Sequence, residues 1–123
     1  MLSLLIASFG IATLVKAADG EVDMDLMQNI EDLHKSLSSN IALKDAKAGV
    51  AEARELAGMF TTVEQHFARK GDAEDAVAIS RKSRDLAAQI ADHLVKSDFE
   101  AATNAATAMG RACRDCHTFY KKS

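Results

Sequence analysis

The sequence predicts an all-α chain, folded as an antiparallel, up-down-up-down four-helix bundle. Three observations predict it. Proline is absent and alanine abundant, so little interrupts a helix and much favours one. Four successive stretches place apolar residues three or four apart, the spacing of one helical face. The breaks between them are short, as antiparallel neighbours require. The 123 residues allow one domain with a real core. No strand pattern, internal repeat or low-complexity segment interrupts the reading.

Helix 1 is expected from an Asp19 N-cap to about Ser38. Its stripe is Val22, Leu26, Ile30, Leu33 and Leu37, and Glu21, Asp23 and Asp25 suit the positive end of its dipole. Glu31 and Lys35 form an i,i+4 pair, and Ser38-Ser39-Asn40 reads as a break. Helix 2 is expected from about Leu43 to Arg69. Its stripe is Ala46, Val50, Ala53, Ala57, Phe60, Val63 and Phe67, with Gly49 and Gly58 weakening its interior and Gly71 ending it. Asp72 is the expected cap of helix 3, whose stripe is Ala76, Ile79, Ser83, Leu86, Ile90 and Leu94. Asp92 and Lys96 are a second i,i+4 pair. Ser97 with Glu100 reads as a capping box that opens helix 4. That helix carries Ala102, Ala105, Met109, Ala112 and Cys116 inward and ends near Lys121. Its small residues, from Ala101 to Gly110, either admit a bulky group to its backbone or pack tightly on other helices.

The chemistry concentrates in helix 4. Its two cysteines are the only ones in the chain, stand three apart, and the second is followed directly by histidine: Cys113-Arg114-Asp115-Cys116-His117. Cys-x-x-Cys-His is the attachment signature of c-type haem. Residues i and i+3 share one helical face, so both sulfurs reach one edge of a porphyrin. His117 then offers an imidazole nitrogen to the iron. Two other readings compete. A structural zinc site needs four protein ligands, and no second cysteine pair exists. A thioredoxin-like dithiol belongs beside a βαβ pattern, which the chain lacks. His34, His66 and His93 read as packing or surface residues.

The formal charge of −3, with both signs scattered, gives no basic stripe for nucleic acid. Residues 1–17 read as a secretory signal: Leu2 to Val15 is apolar, and Val15-Lys16-Ala17 is a small-residue cleavage site. No Lys or Arg precedes the apolar run, which departs from the usual pattern. The run falls short of the roughly 20 apolar residues of a membrane span. The expected domains are therefore a signal peptide at 1–17 and a helical domain at 18–123, exported and without stable membrane insertion.

The chain resembles the class II c-type cytochromes, the cytochrome c′ family. The resemblance rests on the late position of the haem motif and on its wider form, Gly110-x-x-Cys113-x-x-Cys116-His117-x-x-Tyr120-Lys121. It rests also on a four-helix reading that spans the whole exported chain. It implies a periplasmic monohaem protein in which Cys113 and Cys116 hold the haem and His117 is the proximal ligand. A homodimer through helices 1 and 2 is compatible with the resemblance.

The group facing His117 across the haem should come from early helix 1, which runs antiparallel beside the end of helix 4. Cytochromes c′ usually have an apolar residue there, and low-spin members of the class have methionine. This chain offers Met24 and Met27. Helical projection favours Met27, nearer the apolar stripe, while depth favours Met24. Met27 is the expected iron ligand. The bland alternative is that both methionines fill gaps in the core. The family's basic residue one turn earlier is replaced by Asp23 or Gly20, leaving Arg111, Arg114 and Lys121 as partners for the haem propionates.

The expected function is one-electron transfer between periplasmic redox proteins by a haem c iron held by His117 and Met27. Such a protein is a carrier and not an enzyme, because neither face of the iron is open to substrate. The alternative is a five-coordinate cytochrome c′ that binds nitric oxide or carbon monoxide. A third class is a helical bundle for structure or metal storage, without haem.

Overall fold

In a computed structural model that describes residues 22–120, with side chains described as far as Thr118, the chain is four helices. They are α1 (Met24–Ala42), α2 (Ala46–Lys70), α3 (Glu74–Val95) and α4 (Phe99–Tyr120). Three-residue connections join them, no strand occurs among the described residues, and the antiparallel bundle expected from the sequence is confirmed. Each helix packs on its neighbours in the chain, and α1 closes the ring against α4. The α2–α3 interface is the most extensive and the α1–α4 seam the thinnest. The segment 1–17, Asp19, Glu21 and Lys121 lie outside the described residues.

The helix ends correct several expectations. α1 is capped by Asp23, whose carboxylate accepts from Leu26 N–H at 2.8 Å. It runs through Ser38-Ser39-Asn40, because Ile41 continues the buried row one turn beyond Leu37. Ser38 and Ser39 face solvent, while the Asn40 amide, like the Ser36 hydroxyl one turn earlier, donates to Glu52 of α2. Burial of one apolar side chain thus outweighs weak local breakers. α2 begins at Ala46, with Asp45 accepting from Ala48 N–H at 3.1 Å, and not at Leu43, which is exposed.

Asp72 does not cap α3. Its φ is +56°, and Ala73 holds the N-cap position with no side-chain hydrogen bond. Ser97 does not cap α4 either. It sits at φ +56° in the turn that closes α3, where its N–H reaches Leu94 O and the Asp98 N–H reaches His93 O. Those two bonds form a Schellman closure, and the same pair recurs at Lys44 and Asp45 after α1. Asp98 is the effective cap of α4, accepting from Ala101 N–H at 3.1 Å. Glu31 and Lys35 pair at 3.1 Å as expected. Asp92 and Lys96 meet through the backbone, from Lys96 N–H to Asp92 O.

Leu37, Leu56, Ile90, Leu94 and Met109 are almost fully enclosed and form the solid part of the core. Leu56, outside the expected stripe, is among them. The alanines of α4 at 102, 105 and 106 pack into the same core, so tight helix contact accounts for them. Toward the end of the bundle where α1 begins and α4 ends, the filled core gives way to a cavity.

Candidate functional site

All four helices line this cavity, which holds about 90 Å³ of room and opens to solvent on one side. From α4 come Cys113, Cys116 and His117. From α1 come Met27, Ile30, Glu31 and His34. Phe60 and Val63 of α2 and Ile79 of α3 make the apolar wall, and Ser80 and Ser83 of α3 complete it.

The helical period explains the grouping. His34 touches Gly110 across the α1–α4 seam. Moving from that contact toward the cavity, α4 presents Cys113 and then His117 at three- and four-residue steps. α1 runs the opposite way and presents Ile30 and then Met27. The structure therefore brings Met27, Cys113, Cys116 and His117 to one space. Met24, the other candidate, is 86% exposed and does not line it. Arg111 and Arg114 are exposed and also stand outside it. His66 and His93 are half-buried away from the cavity; the His66 ring meets the Phe67 ring edge-on at 5.1 Å.

Burial pushes the Cys113 thiol up to about 11, helped by the neighbouring Cys116 and opposed by Arg114. Burial raises the Cys116 thiol as well. A dithiol redox centre works through an easily formed thiolate, so both shifts run against that reading. They do not hinder use of the sulfurs as packed, uncharged atoms. Among the described residues no group of three or more His, Cys, Asp or Glu is placed to hold a metal ion, which leaves the zinc reading without its ligand set.

Three lining residues escaped the sequence reading. His34, read as a packing or surface residue, is half-buried in the cavity wall, with Nε2 3.4 Å from Ala106 O. Ser80 is 3% exposed and donates to Ala76 O at 2.6 Å. Ser83, read as part of the helix 3 stripe but not as a site residue, donates to Ile79 O at 2.8 Å. Two small polar residues three apart on an apolar stripe are the signal that could have found this wall. Their hydroxyl protons are bonded within α3, and their size keeps the space beside them open. Glu31 joins at the exposed mouth.

No helix among the described residues is long and apolar enough to cross a membrane. No family model, no curated protein and no solved structure matches the chain.

Proposed function

We propose that this chain is a monohaem c-type cytochrome that carries one electron between redox proteins of the periplasm. Cys113 and Cys116 would hold the porphyrin through thioether bonds, and His117 and Met27 would ligate its iron. The observation that carries the reading is that one cavity gathers both cysteine sulfurs, the adjoining imidazole and a methionine from another helix. The donor set fits the group: two thiols at attachment spacing, a nitrogen and a thioether, against a largely apolar wall. The likeness to cytochromes c′ in the wider motif and in helix order adds to it.

When bound, the haem supplies a metal that changes oxidation state by one electron. The chain's own residues do the rest. Ile30, Phe60, Val63 and Ile79 exclude water from the cavity, and a dry surround shifts a metal's potential. Thioether ligation raises the potential relative to a second imidazole. With His117 and Met27 both held to it, the iron would offer substrate no coordination position, and the protein would act as a carrier. Electron-transfer contacts are small and short-lived, and the bundle needs no broad apolar docking face.

The test is the exported protein itself. Its mass should exceed that of the polypeptide by one haem, its alkaline pyridine spectrum should show covalent haem, and its oxidised spectrum should be low-spin. A high-spin spectrum that responds to carbon monoxide would select the five-coordinate gas binder. A mass equal to the bare chain would remove both.

A further inference from the structure

The two turns at the end of the bundle opposite the cavity are built alike. Leu43-Lys44-Asp45 follows α1, and Val95-Lys96-Ser97-Asp98 ends α3 and leads into α4. Each sets an exposed apolar side chain before a lysine and finishes on the aspartate that caps the next helix. Leu43 is 73% exposed and Val95 64%. Among the described residues only Met24, at the cavity end, is a comparably exposed large apolar side chain.

Cations surround these two tips. Lys44 and Lys96 sit in the turns themselves, and Lys47 and Arg54 follow along α2. All four are exposed, and among the described residues none of their side chains joins an ion pair. The acids of the turns are engaged by the helices: Asp45 and Asp98 each accept a backbone N–H at 3.1 Å, from Ala48 and Ala101. A shallow groove between the start of α2 and the end of α3 joins the parts. Val50, Ala51 and Val95 give it apolar walls, and its charged lining residues are Lys47 and Arg54. Asp92 and Glu100 lie outside it, and no carboxylate among the described residues lines it.

We propose that this end of the bundle docks reversibly on an anionic membrane surface. Leu43 and Val95 enter the headgroup boundary, and Lys44, Lys47, Arg54 and Lys96 face the lipid phosphates. Exposed apolar side chains ringed by unpaired cations are the composition of an interfacial contact. A membrane supplies both halves of the match over one broad surface, an apolar layer and a sheet of negative charge. An acidic protein face answers the cations but offers the two tips less apolar cover. The docked bundle stands with its cavity end pointing away, open to partners in solution. The contact rests on the turns and the groove alone and does not depend on whether haem is attached.

The test is partition of the purified full chain onto lipid vesicles. Vesicles of equal parts phosphatidylglycerol and phosphatidylcholine should retain the protein at low salt, and pure phosphatidylcholine should retain much less. Salt at about 0.5 M should release it, since charges are then screened within a few ångströms. Each lysine near such a surface contributes about a factor of five, so Lys44→Gln with Lys96→Gln should weaken partition about 25-fold. The same charge change at Lys70 and Lys82, outside the patch, should weaken it little. Leu43→Ser with Val95→Ser, at unchanged charge, should weaken it about tenfold. The chain has no tryptophan, so Leu43→Trp reports the contact directly, and its emission should shift to the blue on anionic vesicles. No retention by anionic vesicles, an equal loss from the Lys70 and Lys82 pair, or binding without a shift at Leu43→Trp would overturn the docking. Binding to polyglutamate in place of vesicles would assign this end to an acidic protein and overturn it as well.

Discussion

A Cβ on Gly49 would lie 2.7 Å from Cδ1 of Leu94, closer than two carbon atoms tolerate. α2 and α3 meet there backbone to side chain, in the layer that also holds Leu37. Gly58, nine residues on in the same helix, has nothing within 4 Å of the equivalent point.

The two glycines should therefore respond in opposite directions. Alanine gains about 1 kcal/mol of helix propensity over glycine at either position. At Gly58 that gain is unopposed, so Gly58→Ala should stabilise by about 0.5–1 kcal/mol. At Gly49 the methyl must displace a buried leucine, and overpacking costs about 1–3 kcal/mol. Gly49→Ala should lose about 1 kcal/mol net. Urea midpoints of both variants check the pair; a stabilised Gly49→Ala would show that Leu94 can step aside.

Met27 and Met24 should separate spectroscopically. Met27→Ala should convert a low-spin haem spectrum to a high-spin one that responds to carbon monoxide. Met24→Ala, at an 86% exposed position, should leave the spectrum unchanged. The reverse result would assign the thioether to Met24 and contradict the arrangement of the cavity.

The haem-free chain should lose stability as the solution is made alkaline. The Cys113 thiol is raised from 9.0 to about 11 by burial, so the folded state holds this proton more tightly than the unfolded state. Below about pH 9 the thiol is protonated in both states and contributes no slope. Between about 9 and 11 mainly the unfolded chain ionises, and folding weakens by about 2–3 kcal/mol. Cys116 adds in the same direction. Denaturant midpoints across this range, compared with Cys113→Ala, isolate the effect. Thioether formation removes the titrating proton, so the loaded protein should lack this part of the slope. An identical slope in Cys113→Ala would refute the assignment.

Glu64 should matter more than an ordinary surface acid. Its side chain is 14% exposed and meets two arginines of α3, Arg81 Nε at 3.0 Å and Arg84 Nη1 at 2.5 Å. Arg84 also reaches Asp85 at 3.1 Å. Glu64→Gln keeps the shape but removes the charge, and should cost about 1–2 kcal/mol, since a partly buried arginine then lacks its main partner. Exposed pairs such as Glu31–Lys35 are worth a few tenths at most. Thermal melts of Glu64→Gln and Glu31→Gln should rank in that order.

The left-handed residues that close α1 and α3 offer a gain. Lys44 and Ser97 hold φ of +58° and +56°. Glycine takes that conformation without the cost of roughly 1 kcal/mol borne by a side chain. Lys44→Gly and Ser97→Gly should each raise the melting temperature slightly, and a fall in both would show that their side chains make up the difference.

What the sequence made legible follows from periodicity. The rows through Ile30 and Leu37, Phe60 and Val63, and Met109 and Ala112 repeat at helical spacing and are buried as read. Helix ends were less legible because several acceptors compete within a few residues. Asp23 caps α1 in place of the expected Asp19, and Asp98 caps α4 in place of Ser97, which the turn closing α3 takes up. Ile41 shows the same limit: its burial depends on the helices packed against α1, which no local signal in α1 reports. For the site, Met27 and the Cys113–His117 motif were legible, being few and chemically distinct. His34, Ser80 and Ser83 were not, because a half-buried histidine or a serine within an apolar stripe has many ordinary uses. Only the meeting of four helices gives these three a shared space.

The α1–α4 seam flanks the cavity and is the least extensive contact in the ring of helices. Local opening begins where the fewest contacts must break. α1 can therefore swing outward like a hinged door while α2 and α3 remain clasped, so a guest as large as a macrocycle could be loaded without melting the whole bundle. Amide hydrogen exchange would register this as faster turnover along α1 than along α3 before a guest arrives, and uniform protection of the two helices would rule it out.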